Sequence, residues 1–213
     1  MSRESIVKNQ YDEYAKVYDD LWRSYLKATL DFLENWMQLS GDETILDVAC
    51  GTGELERKLV AGHPSQNIVG VDISEKMLAA ARNKLKGFEN VAFRNGSASN
   101  LPFPDNKFDV VVTASAFHYF DDPPKFLAEA RRVLKPEGKI IILDWCRDYG
   151  VCSACDLFLK VFDPAHRVCY NQRELRGFLT DAGFSVEAEQ KTRLRIVWGM
   201  MAATAGKRAS DTG

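Results

Sequence analysis

Between residues 44 and 144 short apolar runs alternate with stretches whose apolar residues recur every three or four positions. Thr44–Val48 reads as a buried strand. Residues 54–61 set Leu55 and Leu59 on one helical face, and Asn67–Asp72 is a second strand. Ser74 is a candidate cap for a helix over 76–86 carrying Met77, Leu78, Ala81 and Leu85. Val91–Asn95 and the nearly continuous Phe108–Ala114 (FDVVVTA) give two more strands. A helix over 123–134 opens on prolines and closes before Pro136; a turn at 135–138 leads into KIIILD, 139–144. Ahead of this block, Leu26, Leu30, Leu33 and Met37 make the stripe of a helix over 25–39 stopped by Gly41. Residues 8–21 can add one or two helical turns. After 144 the rhythm breaks. A helix follows over 174–182, ended by Gly183, then a closing antiparallel pair, 185–190 and 194–200, and a disordered tail, 205–213.

Strands alternating with helices predict an α/β domain: a parallel sheet with helices on both faces. The 213 residues, 46% apolar and 27% charged, suit a single globular domain, as a monomer or homodimer. A net charge of -2 gives no basic footprint for nucleic acid. No apolar run is long enough to span a membrane and no secretory leader is visible, so a cytoplasmic protein is expected. The five cysteines, Cys50, Cys146, Cys152, Cys155 and Cys169, are read as free thiols.

In such sheets ligands sit beyond the carboxyl ends of the strands. Cys50-Gly51-Thr52-Gly53 falls at that edge of the first strand, where glycines let the backbone approach a ligand and the next helix presents its N-terminal amides. A dinucleotide site wants a third glycine, and Glu56 stands in its place. Asp47, Glu54 and Glu56 make the surroundings acidic, which suits a cation such as S-adenosylmethionine (SAM), a sulfonium and an ammonium in one molecule. Asp72 ends the second strand 19 residues after Gly53, near the spacing at which an acid accepts from ribose hydroxyls. An ordinary turn at the glycines and a capping role for Asp72 are the competing readings.

With these residues in place the chain resembles the small-molecule class I SAM-dependent methyltransferases, in the branch of the ubiquinone and menaquinone biosynthesis enzymes. The matching segments are ILDVACGTGELERKL, VDISEKMLAAAR, NGSASNLPFPDNKFDVVV, AFHYFDDPPKFLAEARRVLKPEGKIIILD and ELRGFLTDAGF, within roughly residues 44–190. The resemblance implies a Rossmann-like fold with a seven-stranded, mostly parallel sheet and a closing antiparallel strand. It implies that Asp47, Ala49, Gly51 and Gly53 surround the methionine part of SAM, with Cys50 a cofactor-binding residue of the same loop, and that Asp72 holds the ribose. Ile73 and Met77 would lie on the adenine, with Ser97 and Ala98 at its other edge and Ala114 and Ser115 under the methyl group. Tyr11, Tyr14 and Tyr18 fall in a segment that covers the cofactor in similar enzymes, Tyr18 nearest to it. Two departures stand out: Ala49 occupies a position that is usually glycine, and Ser97 one that is usually acidic.

The expected chemistry is transfer of a methyl group from SAM to a small-molecule acceptor, leaving S-adenosylhomocysteine. Alignment and desolvation supply much of such catalysis, and a base is needed only for a protic nucleophile of high pKa. His118 is the candidate base, against a structural loop histidine; His166 is weaker and His63 has no role. Cys152 and Cys155, flanked by Cys146 and Cys169, can be a zinc, redox or thiophilic-substrate site or plain packing, and packing is preferred with no metal assigned. The expected layout is a helical lid over residues 1–40, a catalytic domain over 41–204 with a cover at 145–170, and the tail. Trp145, Tyr149, Phe158, Phe162 and Tyr170 suggest an apolar acceptor pocket under that cover. A non-catalytic SAM-binding regulator and a nicotinamide-dependent oxidoreductase are the alternatives.

Overall fold

The computed structural model describes residues 3–150, 152–153, 156, 168–194 and 198–208. Cys155, Phe158, Phe162 and His166 lie outside them, as does most of the expected cover. Two helices come first, α1 (Arg3–Tyr14) and α2 (Tyr18–Met37). The alternating block gives β1 (Thr44–Val48), α3 (Glu54–Gly62), β2 (Asn67–Asp72), α4 (Glu75–Lys84), β3 (Val91–Asn95), β4 (Phe108–Ala114), α5 (Pro123–Val133) and β5 (Leu134–Trp145). Then come α6 (Gln172–Asp181), β6 (Phe184–Leu194) and β7 (Trp198–Lys207).

The seven strands form one sheet in the order β3-β2-β1-β4-β5-β7-β6. β7 runs antiparallel to both its neighbours, and the other pairings are parallel. The strand order reverses between β1 and β4, the point at which doubly wound sheets open a crevice for ligands. Both faces of the sheet are covered, which is why β4 and β5 read as continuous apolar runs. Leu46, Val111, Ile140 and Ile142 face a core built with Phe117, Phe126 and Leu179. Ile45, Val110, Val112, Ile141 and Leu143 face the opposite core, closed by Leu30, Leu33 and Met37 of α2.

Several boundaries differ from the pattern reading, each for a local reason. α2 is 20 residues long and ends at Met37, because Gln38 turns into the left-handed region (φ 45°) before Gly41 is reached. The stretch 135–138 is a break in register within β5: Phe108 faces Leu134, and Val110 faces Lys139. β7 runs on to Lys207, so the first residues of the expected tail are sheet. Ala205 is buried between Ile140 of β5 and Val186 of β6. The sequence AGK carries no strand signal; two flanking strands impose the conformation.

Truncation after Thr204 removes Ala205 and Gly206, paired with both β5 and β6, and Lys207, paired with β6. Their ladder bonds, at roughly 1 kcal/mol each, put the expected loss on the order of 3 kcal/mol in urea unfolding. An unchanged midpoint would show that these residues are dispensable to the sheet.

Candidate active site and cofactor cleft

A cleft of about 310 Å3 opens at the carboxyl ends of β1, β2 and β4. The expected residues Tyr18, Ala49, Gly51, Asp72, Ile73, Met77, Ala98, Ala114 and Ser115 all line it. Asp47, Cys50, Gly53, Ser97 and His118 do not line it, and their surroundings explain why.

The backbone of the glycine loop is set by positive φ angles. Gly51 (φ 55°) would direct a Cβ into open space, so the missing side chain is room in the cleft. Its N–H donates to Asp72 Oδ2 at 2.9 Å, and Ser74 N–H donates to Asp72 Oδ1 at 2.8 Å. Burial pushes the Asp72 carboxyl up, and these two amides pull it back. Ser74 is the cap of α4, accepting from Met77 N–H at 3.1 Å, which leaves Asp72 as the tie between the two loops. Ala49 holds φ 64° and Ser115 holds φ 56°, a conformation costly for side chains with a Cβ. Gly53 (φ 77°) faces inward: a Cβ there would come within 3.0 Å of Ala81 and 3.2 Å of Phe93. Its glycine serves packing between α3, α4 and β3 and does not form a ligand wall.

The acids behind the loop are buried. Asp47 is 3% exposed and its Oδ1 has no hydrogen-bond partner. Glu56 is fully buried, and neither of its carboxyl oxygens is bonded. Burial raises both carboxyls, reinforced by their mutual repulsion at Asp47, and Glu56 reaches about 8. Glu56 is therefore neutral near pH 7 and presents no charge to a ligand. This corrects the expectation that Glu56 adds to an acidic surrounding that suits a cation. It fills space instead, and the close contact expected of a third glycine is made from the sheet side. A Cβ on Gly70 of β2 would meet Glu56 Oε1 at 2.5 Å and Cys50 Sγ at 2.8 Å. Cys50 thus points into the interior, its thiol pushed well up by burial.

Two networks were not legible in the sequence. Thr52 Oγ1 donates to Asp19 Oδ1 of α2 at 2.5 Å, and Lys84 of α4 bridges Asp19 (2.6 Å) and Glu54. At the end of β4, Ser115 shares a 2.5 Å hydrogen bond with the buried Tyr25 hydroxyl, which also accepts from Trp145 Nε1 at 2.6 Å. Trp22 and Trp198 pack edge-on to Tyr25, with centroids 5.8 and 4.9 Å away. Tyr25 carries no signal in the sequence beyond opening a predicted helix; the fold brings it to β4.

His118 sits in a 3-10 turn, Phe117–Tyr119, after β4. Its Nδ1 lies 2.6 Å from Asp144 Oδ1, its N–H donates to Asp144 Oδ2 at 2.8 Å, and its ring stacks on Trp145 at 5.3 Å. The partner is a carboxylate on β5 instead of backbone. Tyr11 and Tyr18 line the cleft, while Tyr14 is exposed. Cys146, Cys152 and Cys169 are buried, and Cys152 Sγ donates to the Gly199 carbonyl at 3.3 Å. Burial raises the Cys146 thiol to about 11 and the Cys169 thiol further, so both stay protonated. Tyr170 packs in the core against Phe117 (5.6 Å) and Phe178 (5.1 Å), away from the cleft. Among the described residues no helix is long and apolar enough to cross a membrane.

A glycine-lined cleft at the switch point, with an acid tied across it, defines a nucleoside-binding α/β protein. The chain belongs to the class I SAM-dependent methyltransferases. Residues 46–142 match the family model described as a methyltransferase domain. A ubiquinone/menaquinone biosynthesis C-methyltransferase from Dinoroseobacter shibae is 30% identical over 187 residues, 83% of this chain and 75% of that protein. A demethylmenaquinone methyltransferase from Thermotoga maritima is 43% identical over 102 residues, 48% of this chain and 43% of that protein, so that match spans less than half its length. The structure of a SAM-dependent methyltransferase from Aquifex aeolicus superposes with a TM-score of 0.71 at 26% identity, covering 91% of this chain and 97% of that one.

Glu56→Gln tests the buried acid. The folded state holds the Glu56 proton up to about pH 8, against about 4.5 when the carboxyl is free. The stability this gives is complete below about pH 4.5 and is lost as pH rises towards 8. The variant should therefore gain on the parent by a few kcal/mol as pH rises from 5 to 8.5, read from urea midpoints. A pH-independent difference would overturn the assignment.

Proposed function

We propose that the protein moves a methyl group from SAM to a planar aromatic acceptor bearing a hydroxyl, releasing S-adenosylhomocysteine. The single observation carrying the cofactor part is the Asp72 carboxylate, tied to Gly51 and lining the cleft beside a backbone with no side chain in the way. When bound, SAM supplies an electrophilic methyl group on a sulfonium. Asp72 accepts from the ribose hydroxyls, Ile73 and Met77 flank the adenine, and Ala114 and Ser115 floor the reacting end. Asp47 is a buried carboxyl with an unsatisfied oxygen, and an approaching cation favours its ionised form. α1 and α2 cover the cleft with Tyr11 and Tyr18, excluding water from the methyl group.

The acceptor class is supported by the aromatic cluster of Trp22, Tyr25, Trp145 and Trp198 next to Ser115, and by the names of the two relatives, a demethylmenaquinone methyltransferase and a ubiquinone/menaquinone biosynthesis C-methyltransferase. Asp144 fixes the ring of His118, which is 2% exposed and stacks on Trp145 outside the cofactor cleft, and to this residue we assign removal of the acceptor's proton from that side. A cytoplasmic enzyme acting as a monomer or homodimer, with no nucleic-acid partner, is part of the same proposal.

Asp72→Ala should weaken S-adenosylhomocysteine binding by on the order of 1–3 kcal/mol in calorimetry. Full affinity in the folded variant would remove Asp72 from the ribose. His118→Gln should lower turnover of a naphthoquinol or catechol acceptor by roughly 100-fold or more while leaving cofactor affinity intact. Equal turnover, or no turnover of any acceptor by the parent protein, would sink the catalytic reading.

A further inference from the structure

We propose that Glu4 of α1 accepts the hydrogen bond of the cofactor's exocyclic adenine amino group, so that the first helix takes part in reading the base. The inference rests on the SAM reading above. The sheet order fixes where the base lies. Ribose belongs at Asp72, ending β2, and the next strand outward is β3, followed by Gly96, Ala98 and Ser99 on the cleft wall. Ile73 and Met77 give that end an apolar side, and Val7 of α1 closes over it. A purine fits between such surfaces, and its amino group needs an acceptor where water is displaced.

Ser97 is the neighbouring hydroxyl, and its one proton and one of its acceptor sites are already used, which makes the adjacent carboxylate the stronger acceptor. Its Oγ accepts from Ser99 N–H at 3.1 Å and donates to Glu4 Oε1. The serine therefore acts as a bracket, and the acceptor it positions is the Glu4 carboxylate, which lines the cleft. Glu4 N–H donates to Asp121 Oδ2 at 3.2 Å, fixing the residue from its other side. None of the residues of α1 is buried. Its hold on the domain comes from such polar contacts, among them Ser74 Oγ donating to Asp12 at 2.5 Å, and from Tyr11 set edge-on to Tyr119 at 5.7 Å. A helix held this way docks more firmly when the base itself bonds to it.

The test compares S-adenosylhomocysteine with its analogue carrying unsubstituted purine in place of adenine, by calorimetry and by amide hydrogen exchange. The parent should bind the adenine form about 10-fold or more tightly than the purine form, and only the adenine form should slow exchange in α1. Glu4→Ala should lose that preference by weakening the adenine form alone. Ser97→Asp in the Glu4→Ala background should restore the preference in binding, since it places a carboxylate at the same corner, without restoring α1 protection. Equal weakening of both ligands by Glu4→Ala, or of neither, would overturn the assignment. A parent that binds neither ligand would instead overturn the cofactor reading on which it rests.

Discussion

The carboxylate of Asp72 holds two loops of different strands in one geometry. Each of its oxygens takes a backbone N–H, one from the loop after β1 and one from the start of α4. Without that tie, the left-handed turns at Ala49 and Gly51 would have no anchor on β2 beyond the Val71 carbonyl, which accepts from Ala49 N–H at 2.8 Å and Cys50 N–H at 3.1 Å. The acid therefore shapes the cleft before it meets any ligand. Charge-assisted bonds to backbone amides are well suited to this, because their acceptor retains further lone pairs for a ligand.

Behind the loop the charge is managed by burial. Asp47 and Glu56 lie side by side in the interior, and both carboxyls are raised, so the region is less negative near neutrality than its composition suggests. Charges that remain ionised are on the outside, where Lys84 links α4 to Glu54 and Asp19. The loop is thus braced from α2 through Thr52 and Asp19, and the same helix reaches the other end of the cleft through Tyr25 and Ser115. One helix preceding the sheet supports both the cofactor end and the reacting end. This gives preorganisation from a segment whose own sequence carries no motif.

α1 differs from α2 in kind. α2 buries Tyr25, Leu30, Leu33 and Met37 against the sheet, whereas the residues of α1 are at most partly buried and reach the domain through side-chain polar atoms and rings. Polar contacts near solvent contribute little net stability each, so such a helix docks with a small free-energy margin. Ligand contacts of modest strength are enough to shift it.

The sheet, its core-facing strands and the position of the glycine loop were written in the one-dimensional pattern. Period-2 and period-3.6 apolar spacing reflects which face each element buries, and burial dominates folding. Nine of the thirteen expected cofactor residues line the cleft, because a strand end followed by small residues defines the crevice locally. What the pattern could not supply was direction. Cys50, Gly53 and Glu56 lie within the same motif, and only the tertiary structure turned them inward, against Gly70, Ala81 and Phe93. Tyr25 meets Ser115, 90 residues away, because α2 packs on the sheet, and His118 meets Asp144, 26 away, because β4 pairs with β5. The extension of β7 into a stretch with no strand signal was decided by its two neighbours. Sequence determines periodicity and local backbone freedom; long-range pairing decides which side chains meet and which are shielded from water.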